Sequence, residues 1–150
     1  MKIFVGSDHR GFALKKSVSE IVKALGHEVI DLGTDNQTVA CDYPEISYKV
    51  GTQVVSHPGS RGILMCYSGI GHSIAANKIP GVYAALVYNK QAAALSRQHN
   101  DSNVLVLGSN FVDDASLQEI VKIWLSTDFE GGRHQRRKEQ VQKIEREFLK

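Results

Sequence analysis

Residues 62–71 read GILMCYSGIG, and this stretch decides the fold class. It begins as an apolar run of strand length that ends at Cys66, after which two closely spaced glycines open a helical pattern. The same succession recurs on both sides, from KIFVGS at residues 2–7 to NVLVLGS at residues 103–109. Alternating strands and helices are typical of a parallel sheet that helices cover on both faces. The sequence therefore predicts an α/β fold, a Rossmann-like three-layer αβα sandwich.

The predicted sheet has five parallel strands, each followed by a helix. Strands are predicted at residues 2–7, 28–33, 62–69, 82–87 and 103–109, and helices over residues 14–25, 46–54, 72–78, 92–98 and 113–124. A charged helix over residues 133–150 follows Gly131-Gly132, a flexible joint that would let it pack on a partner subunit. We therefore expect a single domain over residues 1–150 that forms a homodimer or a tetramer.

The composition is that of an ordinary globular protein and excludes several classes of function. Apolar residues make up 42% and charged residues 23% of the chain. The net charge of +2 is too small for a broad nucleic-acid-binding surface, although basic residues crowd at positions 133–138 and indicate a local anion site. No apolar stretch approaches the ~20 residues that cross a bilayer, and the N-terminus lacks a signal-peptide pattern. We expect a cytoplasmic protein with reduced Cys41 and Cys66 and with no membrane or nucleic-acid partner.

Polar residues follow the predicted strands, at the edge where parallel sheets bind their ligands. Asp8 and His9 follow the first strand, and the segment from Cys66 to Gly71 follows the third. We group with them His99 and Asn100, which end the helix before the last strand. Together these segments form the candidate site.

The segment from Cys66 to Gly71 carries the clearest chemical signal. Gly69 and Gly71 let the backbone turn sharply at a helix start, so that successive amides point at one spot and favour an anion. A thiol at a helix N-terminus ionises more easily than a free thiol, which would make Cys66 a base or nucleophile near neutral pH. The alternative is a buried cysteine that only ends an apolar strand, and position alone leaves it open.

Better-known motifs that contain a glycine loop do not match this sequence. No G-x-x-x-x-G-K-[ST] string occurs, so the loop is not of the Walker type. A dinucleotide fingerprint would follow the first strand and carry a third glycine where Ile74 stands. A cysteine phosphatase would need an arginine where His72 stands, which makes nucleophilic phosphatase chemistry a poor explanation.

Histidines and arginines elsewhere give weaker signals. No HExxH or CxxC pair occurs, and Asp8-His9 alone is poor evidence for a metal, so we predict no metal site. On spacing alone, His99 is equally well a capping or surface histidine. Arg133 and Arg137 share a helix face, and without other evidence the better explanation for them is a solvated basic stripe.

Six motifs lie along almost the whole chain. They are DHRGF at 8–12, DYP at 42–44, CYSGIG at 66–71, SIAANK at 73–78, LSRQHND at 95–101 and EGGRHQRR at 130–137. In this order and spacing they resemble ribose-5-phosphate isomerase type B, whose superfamily includes galactose-6-phosphate and allose-6-phosphate isomerases. The resemblance implies interconversion of D-ribose 5-phosphate and D-ribulose 5-phosphate in the pentose phosphate pathway, without a cofactor.

The resemblance also implies a mechanism through a cis-enediolate. Cys66 would remove the proton beside the carbonyl, and the amides from Ser68 to Gly71 would stabilise the enediolate oxygens. His99 would open the furanose ring, and Asp8 would orient it or share that work. The Ser68 hydroxyl would bind the first oxygens of the sugar and shuttle a proton between them.

Further residues would bind the substrate by the same resemblance. Asn100 would bind a hydroxyl group of the sugar. His9, Arg133 and Arg137 would bind the phosphate, a role that suits guanidinium geometry. In this family the site is shared across a dimer, so residues of a second subunit would complete it. The full set of implied substrate-binding residues is Asp8, His9, Tyr67, Ser68, Gly69, Ile70, Gly71, Asn100, Arg133 and Arg137.

Three residues depart from the usual pattern of the family. Ser68 stands where threonine is usual, and Tyr67 stands where glycine is common and adds bulk near the sugar. Asn110 stands where many members place an arginine near the phosphate. The missing charge would have to be offset by the other phosphate-binding residues.

Two alternatives to the pentose phosphate reaction stay open. A six-carbon sugar phosphate, such as allose 6-phosphate or galactose 6-phosphate, would use the same chemistry in a longer pocket. A sugar-phosphate sensor without catalysis would have lost the base or the ring-opening group, whereas Cys66 and His99 are both present.

Overall fold

The apolar runs form the strands of one parallel sheet, and the helical patterns form helices on both of its faces. The computed structural model describes residues 1–149. Within them the strands are β1 (Lys2–Ser7), β2 (Glu28–Asp31), β3 (Arg61–Cys66), β4 (Ala84–Leu86) and β5 (Val104–Gly108). The helices of the same residues are α1 (Phe12–Ala24), α2 (Tyr43–Ser56), α3 (Ile70–Ala76), α4 (Lys90–Gln98), α5 (Asp114–Ser126) and α6 (Arg133–Phe148), and a 3₁₀ turn spans His9–Gly11.

The order of the strands creates a crevice in the middle of the sheet. The strands lie in the order β2-β1-β3-β5-β4, and every neighbouring pair is parallel. From β1 the chain moves to one edge of the sheet, and from β3 it moves towards the other. Open α/β sheets bind ligands where the order reverses in this way, outside the carboxyl ends of the strands. Ser7 pairs with Met65 here, so the segments after β1 and β3 emerge side by side.

Alternate residues of the central strands serve the two faces of the sheet. Ile63 and Leu105 pack with residues of α1, α4 and α5 around the fully buried Trp124. Leu64 and Val106, one position further along each strand, pack with residues of α2 and α3 on the opposite face. Both faces are therefore covered, and the predicted three-layer αβα sandwich is confirmed.

Most elements differ from the predicted bounds by one to three residues at an end, and two of these differences have a clear cause. β4 is shorter than the predicted stretch 82–87, because it lies at the edge of the sheet and pairs only with β5. α3 begins at Ile70, earlier than the predicted start at His72. The reason is Gly69, whose left-handed φ of +85° turns the chain directly into the helix.

The C-terminal helix α6 contacts its own domain on one side and is open on another. The Lys138 Nζ lies 2.5 Å from a carboxylate oxygen of Asp101, whereas Phe148 is 73% exposed. The helix predicted over 133–150 is confirmed as far as Phe148, and Lys150 lies outside the described residues. Packing on a partner subunit stays a prediction. No helix within residues 1–149 combines the length and the apolar character that crossing a membrane requires.

Candidate active site

The residues that follow β1 and β3 lie together at the carboxyl ends of these strands. We call them the strand-end cluster. Cys66 is the last residue of β3 and pairs with Gly108 of β5, which places it in the middle of the sheet. One chain thus brings together a large part of the predicted site, namely Asp8, His9, Cys66, Tyr67, Ser68, Gly69, Ile70 and Gly71.

The loop after β3 holds the Cys66 sulfur against backbone amides. The Gly69 amide donates to Cys66 Sγ at 3.1 Å, and the Ile70 amide donates to Ser68 Oγ at 3.2 Å. Gly108 lets the loop approach β5, because a Cβ at this position would collide with the Ser68 carbonyl. The sulfur therefore faces the first turn of α3, as the glycine pattern predicts.

Burial controls the pKa of the Cys66 thiol. Cys66 is only 6% exposed, and this desolvation is the largest cause of a pKa above the ordinary value. The Gly69 amide lowers the pKa, while the Asp8 carboxylate raises it further. The net shift is upward, so the expectation that the helix start eases ionisation is wrong for this chain. Desolvation at the end of a buried strand outweighs the amides.

Asp8 and His9 form the turn that follows β1. Asp8 Oδ1 accepts hydrogen bonds of 3.0 Å from the amides of Arg10 and Gly11, and so it caps the 3₁₀ turn. The His9 Nδ1 accepts a 3.4 Å hydrogen bond from the Cys41 amide, which ties the turn to the loop before α2. In the neutral ring this leaves Nε2–H free to donate to a ligand.

A buried Ser47–His72 pair lies behind the loop, and the sequence analysis missed it. The His72 Nδ1 lies 2.7 Å from Ser47 Oγ, and Nε2 lies 3.2 Å from the Met65 carbonyl oxygen. Burial lowers the pKa of His72 to about 4, so the ring is neutral, with Nδ1 accepting from the hydroxyl and Nε2–H donating to the carbonyl. Ser47 lies between Ile46 and Val50 on the buried face of α2. This position was the one sign in the sequence that its hydroxyl is buried.

A second group of predicted residues lies at the ends of α4 and α6, and we call it the helix-end cluster. It contains His99, Asn100, Arg133 and Arg137, to which the structure adds His134. The rings of His99 and His134 stack with their centroids 4.1 Å apart and their planes 11° from parallel. Except for Arg133, these residues line an open cavity of about 460 Å³, within the range of roughly 300–1,000 Å³ that is usual for small-molecule sites.

The two clusters lie at opposite ends of the sheet in one chain. Gly108, at the carboxyl end of β5, pairs with Cys66, whereas α4 and its terminal His99 and Asn100 lead into the start of β5 at Val104. β5 has five residues, so at ~3.3 Å per residue its ends lie roughly 15 Å apart. Grouping His99 and Asn100 with the strand ends was therefore wrong. A helix between parallel strands returns the chain to the amino-terminal edge, and its own end lies there.

The helix-end cluster also contains donor atoms of the kind that bind metals. One nitrogen each of His99 and His134 and one oxygen of Glu130 all lie within 4.8 Å of one another. Two histidines and a glutamate are a known zinc ligand set. Burial is the largest cause of a lowered pKa of His134, the charges of Arg133 and Arg137 lower it further, and the Glu130 carboxylate opposes the shift. The absence of a metal stays a prediction.

Comparison with known proteins identifies the family. The family model described as Ribose/Galactose Isomerase matches residues 3–141. The chain belongs to this family. Ribose-5-phosphate isomerase B of Escherichia coli is 44% identical over 144 residues, 96% of each chain, and that of Mycobacterium tuberculosis is 38% identical over 147 residues, 97% of this chain and 91% of the relative. The resemblance read from the six motifs is confirmed.

Solved structures of this ribose/galactose isomerase family share the whole fold. Ribose-5-phosphate isomerase B of Clostridium thermocellum has a TM-score of 0.95 and 44% identity, with 99% of each chain covered. The same enzyme of Mycoplasma genitalium, solved with bound ribulose-5-phosphate, has a TM-score of 0.92 and 44% identity, with 97% of each chain covered. The sandwich and its crevice are therefore those of the type B enzymes.

Proposed function

We propose that the protein is a metal-independent aldose–ketose isomerase that interconverts D-ribose 5-phosphate and D-ribulose 5-phosphate. The observation that carries the proposal is the Cys66 sulfur at the switch point of the sheet, 3.1 Å from the Gly69 amide. In a chain of the ribose/galactose isomerase family, this arrangement provides a proton acceptor beside amides that stabilise a developing anion. Relatives named for the same reaction, one of them with its ketose product bound, support the choice of a pentose phosphate.

The reaction moves one proton between adjacent carbons of the open-chain sugar. The Cys66 thiolate removes a proton from the carbon beside the aldehyde, which leaves a cis-enediolate, and then returns the proton to the neighbouring carbon. Negative charge develops on the enediolate oxygens. The Gly71 amide lies in the first turn of α3, where backbone N–H groups have no helical acceptor, so it can donate to these oxygens, whereas the Gly69 and Ile70 amides already donate to Cys66 Sγ and Ser68 Oγ. The Ser68 hydroxyl shuttles the proton between the oxygens.

The raised pKa of Cys66 fits a base that must attack a carbon acid. A thiol with a high pKa is a stronger base once it is ionised, although less of it is ionised at neutral pH. Asp8 lies close enough to raise this pKa and is itself buried. In the proposal, Asp8 orients the opened sugar at the same turn that carries His9.

We propose further that each site is completed by a second copy of the chain. Within one chain, Cys66 and His99 lie at opposite ends of the sheet, so ring opening and proton transfer cannot share one substrate. A two-fold dimer would bring the strand-end cluster of one subunit against the helix-end cluster of the other, twice. His99 would then open the ring, Asn100 would hold a hydroxyl, and Arg133 and Arg137 would bind the phosphate together with His9 of the first subunit.

Exposed apolar residues support an interface at both ends. Ile70 and Ile74 of α3 are 51% and 60% exposed, and Ile144 of α6 is 60% exposed. The two isoleucines of α3 lie at the strand-end cluster, and Ile144 lies further along the helix whose start forms the helix-end cluster, so a second copy that covers both ends would bury them. We expect a homodimer or a tetramer that works in the cytoplasm, where Cys41 and Cys66 stay free as they are in the structure.

The test is ketose formation by the purified protein in excess chelator. D-Ribose 5-phosphate, D-allose 6-phosphate and D-galactose 6-phosphate are compared as substrates, each with and without chelator. We expect the highest kcat/KM on the pentose phosphate and no effect of the chelator. A higher kcat/KM on a hexose phosphate would overturn the substrate, loss of activity in chelator would overturn metal independence, and no turnover of any sugar phosphate would favour a sensor.

A further inference from the structure

Three exposed residues, Arg10, Tyr67 and Asn110, meet at the rim of the strand-end cluster. The guanidinium carbon of Arg10 lies 4.4 Å from the centroid of the Tyr67 ring. The Asn110 amide donates a 3.0 Å hydrogen bond to the Tyr67 carbonyl, and the Ser109 hydroxyl donates a 3.4 Å hydrogen bond to the Arg10 carbonyl. Arg10 therefore reaches the same rim as the residue after Cys66 and the residues after β5.

The charge of Arg10 is available to a ligand. Its guanidinium rests on the face of an aromatic ring, an arrangement that fixes the plane of the group and leaves its N–H edges free to donate. Within residues 1–149, no carboxylate forms an ion pair with it. The neighbouring Asp8 uses its Oδ1 on the amides of Arg10 and Gly11 instead.

Arg10 also brings a positive charge to this rim from the same chain, one residue from His9. Arg133 and Arg137 lie at the other end of the sheet and reach a strand-end cluster only from a second copy. A planar guanidinium matches the geometry of a phosphate, to which it can donate two parallel hydrogen bonds. Asn110, in contact with Tyr67, contributes no charge of its own.

We propose that Arg10, held in place by the Tyr67 ring, binds the phosphate of the substrate at the strand-end cluster beside Asn110. Tyr67 is a positioning residue in this arrangement, because it contacts the guanidinium rather than the phosphate. The proposal rests on the proposed isomerase function, since it assigns the phosphate of that substrate. It also accounts for the charge that Asn110 does not supply.

Steady-state kinetics of Arg10→Met and Lys16→Met proteins test the proposal. Both substitutions remove one exposed positive charge near the N-terminus and keep a long side chain, but Lys16 lies on α1 away from the rim. For Arg10→Met we expect the KM for D-ribose 5-phosphate and the inhibition constant of inorganic phosphate to rise by about ten- to a hundredfold, the usual effect of losing a hydrogen bond to a charged group. The Lys16→Met protein should match the parent.

Two further variants separate phosphate binding from a general loss of structure. Adding Asn110→Arg to the Arg10→Met protein returns a guanidinium to the rim, now from the segment after β5. This double variant should recover part of the lost affinity for the phosphate. Tyr67→Ala removes the ring and should raise the KM by less than Arg10→Met does, whereas Tyr67→Phe keeps the ring and should raise it by less than Tyr67→Ala. The slow turnover of phosphate-free D-ribose should be the same in Arg10→Met and in the parent.

The outcomes are decisive in either direction. A KM and a phosphate inhibition constant of Arg10→Met within about twofold of the parent would overturn the proposal, because a lost charged hydrogen bond costs more than this. An equal loss on D-ribose would overturn it as well. If the parent converts no pentose phosphate, the proposed function fails instead. Calorimetric titration with inorganic phosphate then decides on Arg10 alone, with weaker binding to Arg10→Met than to the parent as the supporting result.

Discussion

The strand-end and the helix-end clusters are built in different ways. In the strand-end cluster the backbone sets the geometry, because Cys66 and Asp8 are buried and hydrogen-bonded to amides of their own loops. In the helix-end cluster side chains at the ends of α4 and α6 set it. His99 stacks on the His134 ring, and Arg137 is exposed. In one region backbone hydrogen bonds hold the side chains in place, and the other presents long side chains to an incoming molecule.

This difference follows the chemistry that each cluster is proposed to perform. Proton transfer to and from carbon needs a fixed distance between base and substrate, which a loop held by glycines and amides provides. Phosphate binding tolerates longer and more mobile side chains, because an anion accepts hydrogen bonds from many directions. The proposals therefore place proton transfer at carbon at the backbone-defined end and ring opening at the side-chain-defined end, with phosphate-binding side chains contributed by both.

The largest expected effect comes from removing the sulfur of Cys66. We expect Cys66→Ala to lower kcat by about 10³-fold, in the range of 10² to 10⁴ that general acid–base groups contribute. Cys41→Ala removes the other thiol of the chain and should keep the activity of the parent. Ketose formation measures both, and circular dichroism checks that the proteins are folded. Comparable activity of the two variants would show that the strand-end cluster does not carry the chemistry.

Mixing experiments test whether the two clusters act across subunits. Cys66→Ala and His99→Asn proteins should each be inactive, but refolding an equal mixture should recover about a quarter of the parent's activity. Random pairing makes half of the dimers mixed, and each mixed dimer has one complete site. As a control, Cys66→Ala mixed with Asp8→Asn should recover nothing, because both changes lie in the strand-end cluster. Equal recovery in both mixtures, or in neither, would contradict the shared site.

The pH dependence of Cys66 alkylation tests the electrostatics of the strand-end cluster. The pKa of Cys66 is raised, so at neutral pH the thiol is protonated and the reactive thiolate is scarce. In Cys41→Ala protein, the rate of reaction with iodoacetamide should therefore rise by about tenfold per pH unit from pH 7 to beyond 8.5, without a plateau. A rate that levels off near neutral pH would mean that the amides of α3 outweigh burial after all.

The smallest expected effect is on the stability of the fold, and it comes from Ser47, which lies behind the loop after β3. Ser47→Ala leaves the buried His72 Nδ1 without its donor, which should lower the free energy of unfolding by about 1–3 kcal/mol. Ser56→Ala, on the exposed face of the same helix, should change it by less than about 0.5 kcal/mol. Urea denaturation measures both. Equal effects of the two substitutions would mean that the hydrogen bond between Ser47 and His72 does not stabilise the fold.

The strand-end cluster could be predicted from sequence because its signals are local. Apolar runs indicate the strands, and the close pair Gly69 and Gly71 indicates the sharp turn beside Cys66. The pKa of Cys66 could not be predicted in this way, because the helix start is visible in the sequence and the depth of burial is not. The buried His72 was equally invisible, since a helical histidine reads the same whether it faces the core or the solvent.

The placement of the helix-end cluster depends on topology rather than on motifs. His99 precedes a strand instead of following one, and in a parallel sheet, which the sequence already predicted, this puts it at the far edge, so its placement could have been derived from the sequence. Arg10 was missed for a different reason, because its partners Tyr67 and Ser109 are distant in sequence. Contacts between loops that follow different strands become visible only when the strand order is known.

The separation of the two clusters, together with the proposed dimer that joins them, has a consequence for a cell that carries two versions of the gene. In a mixed dimer with a Cys66→Ala/His99→Asn chain, the normal Cys66 would meet the altered position 99, and the normal His99 would meet the altered position 66. Both sites of that dimer would be silent. At equal expression only about a quarter of the dimers would be fully normal, so the altered allele would be dominant over the normal one although the protein it encodes is merely inactive.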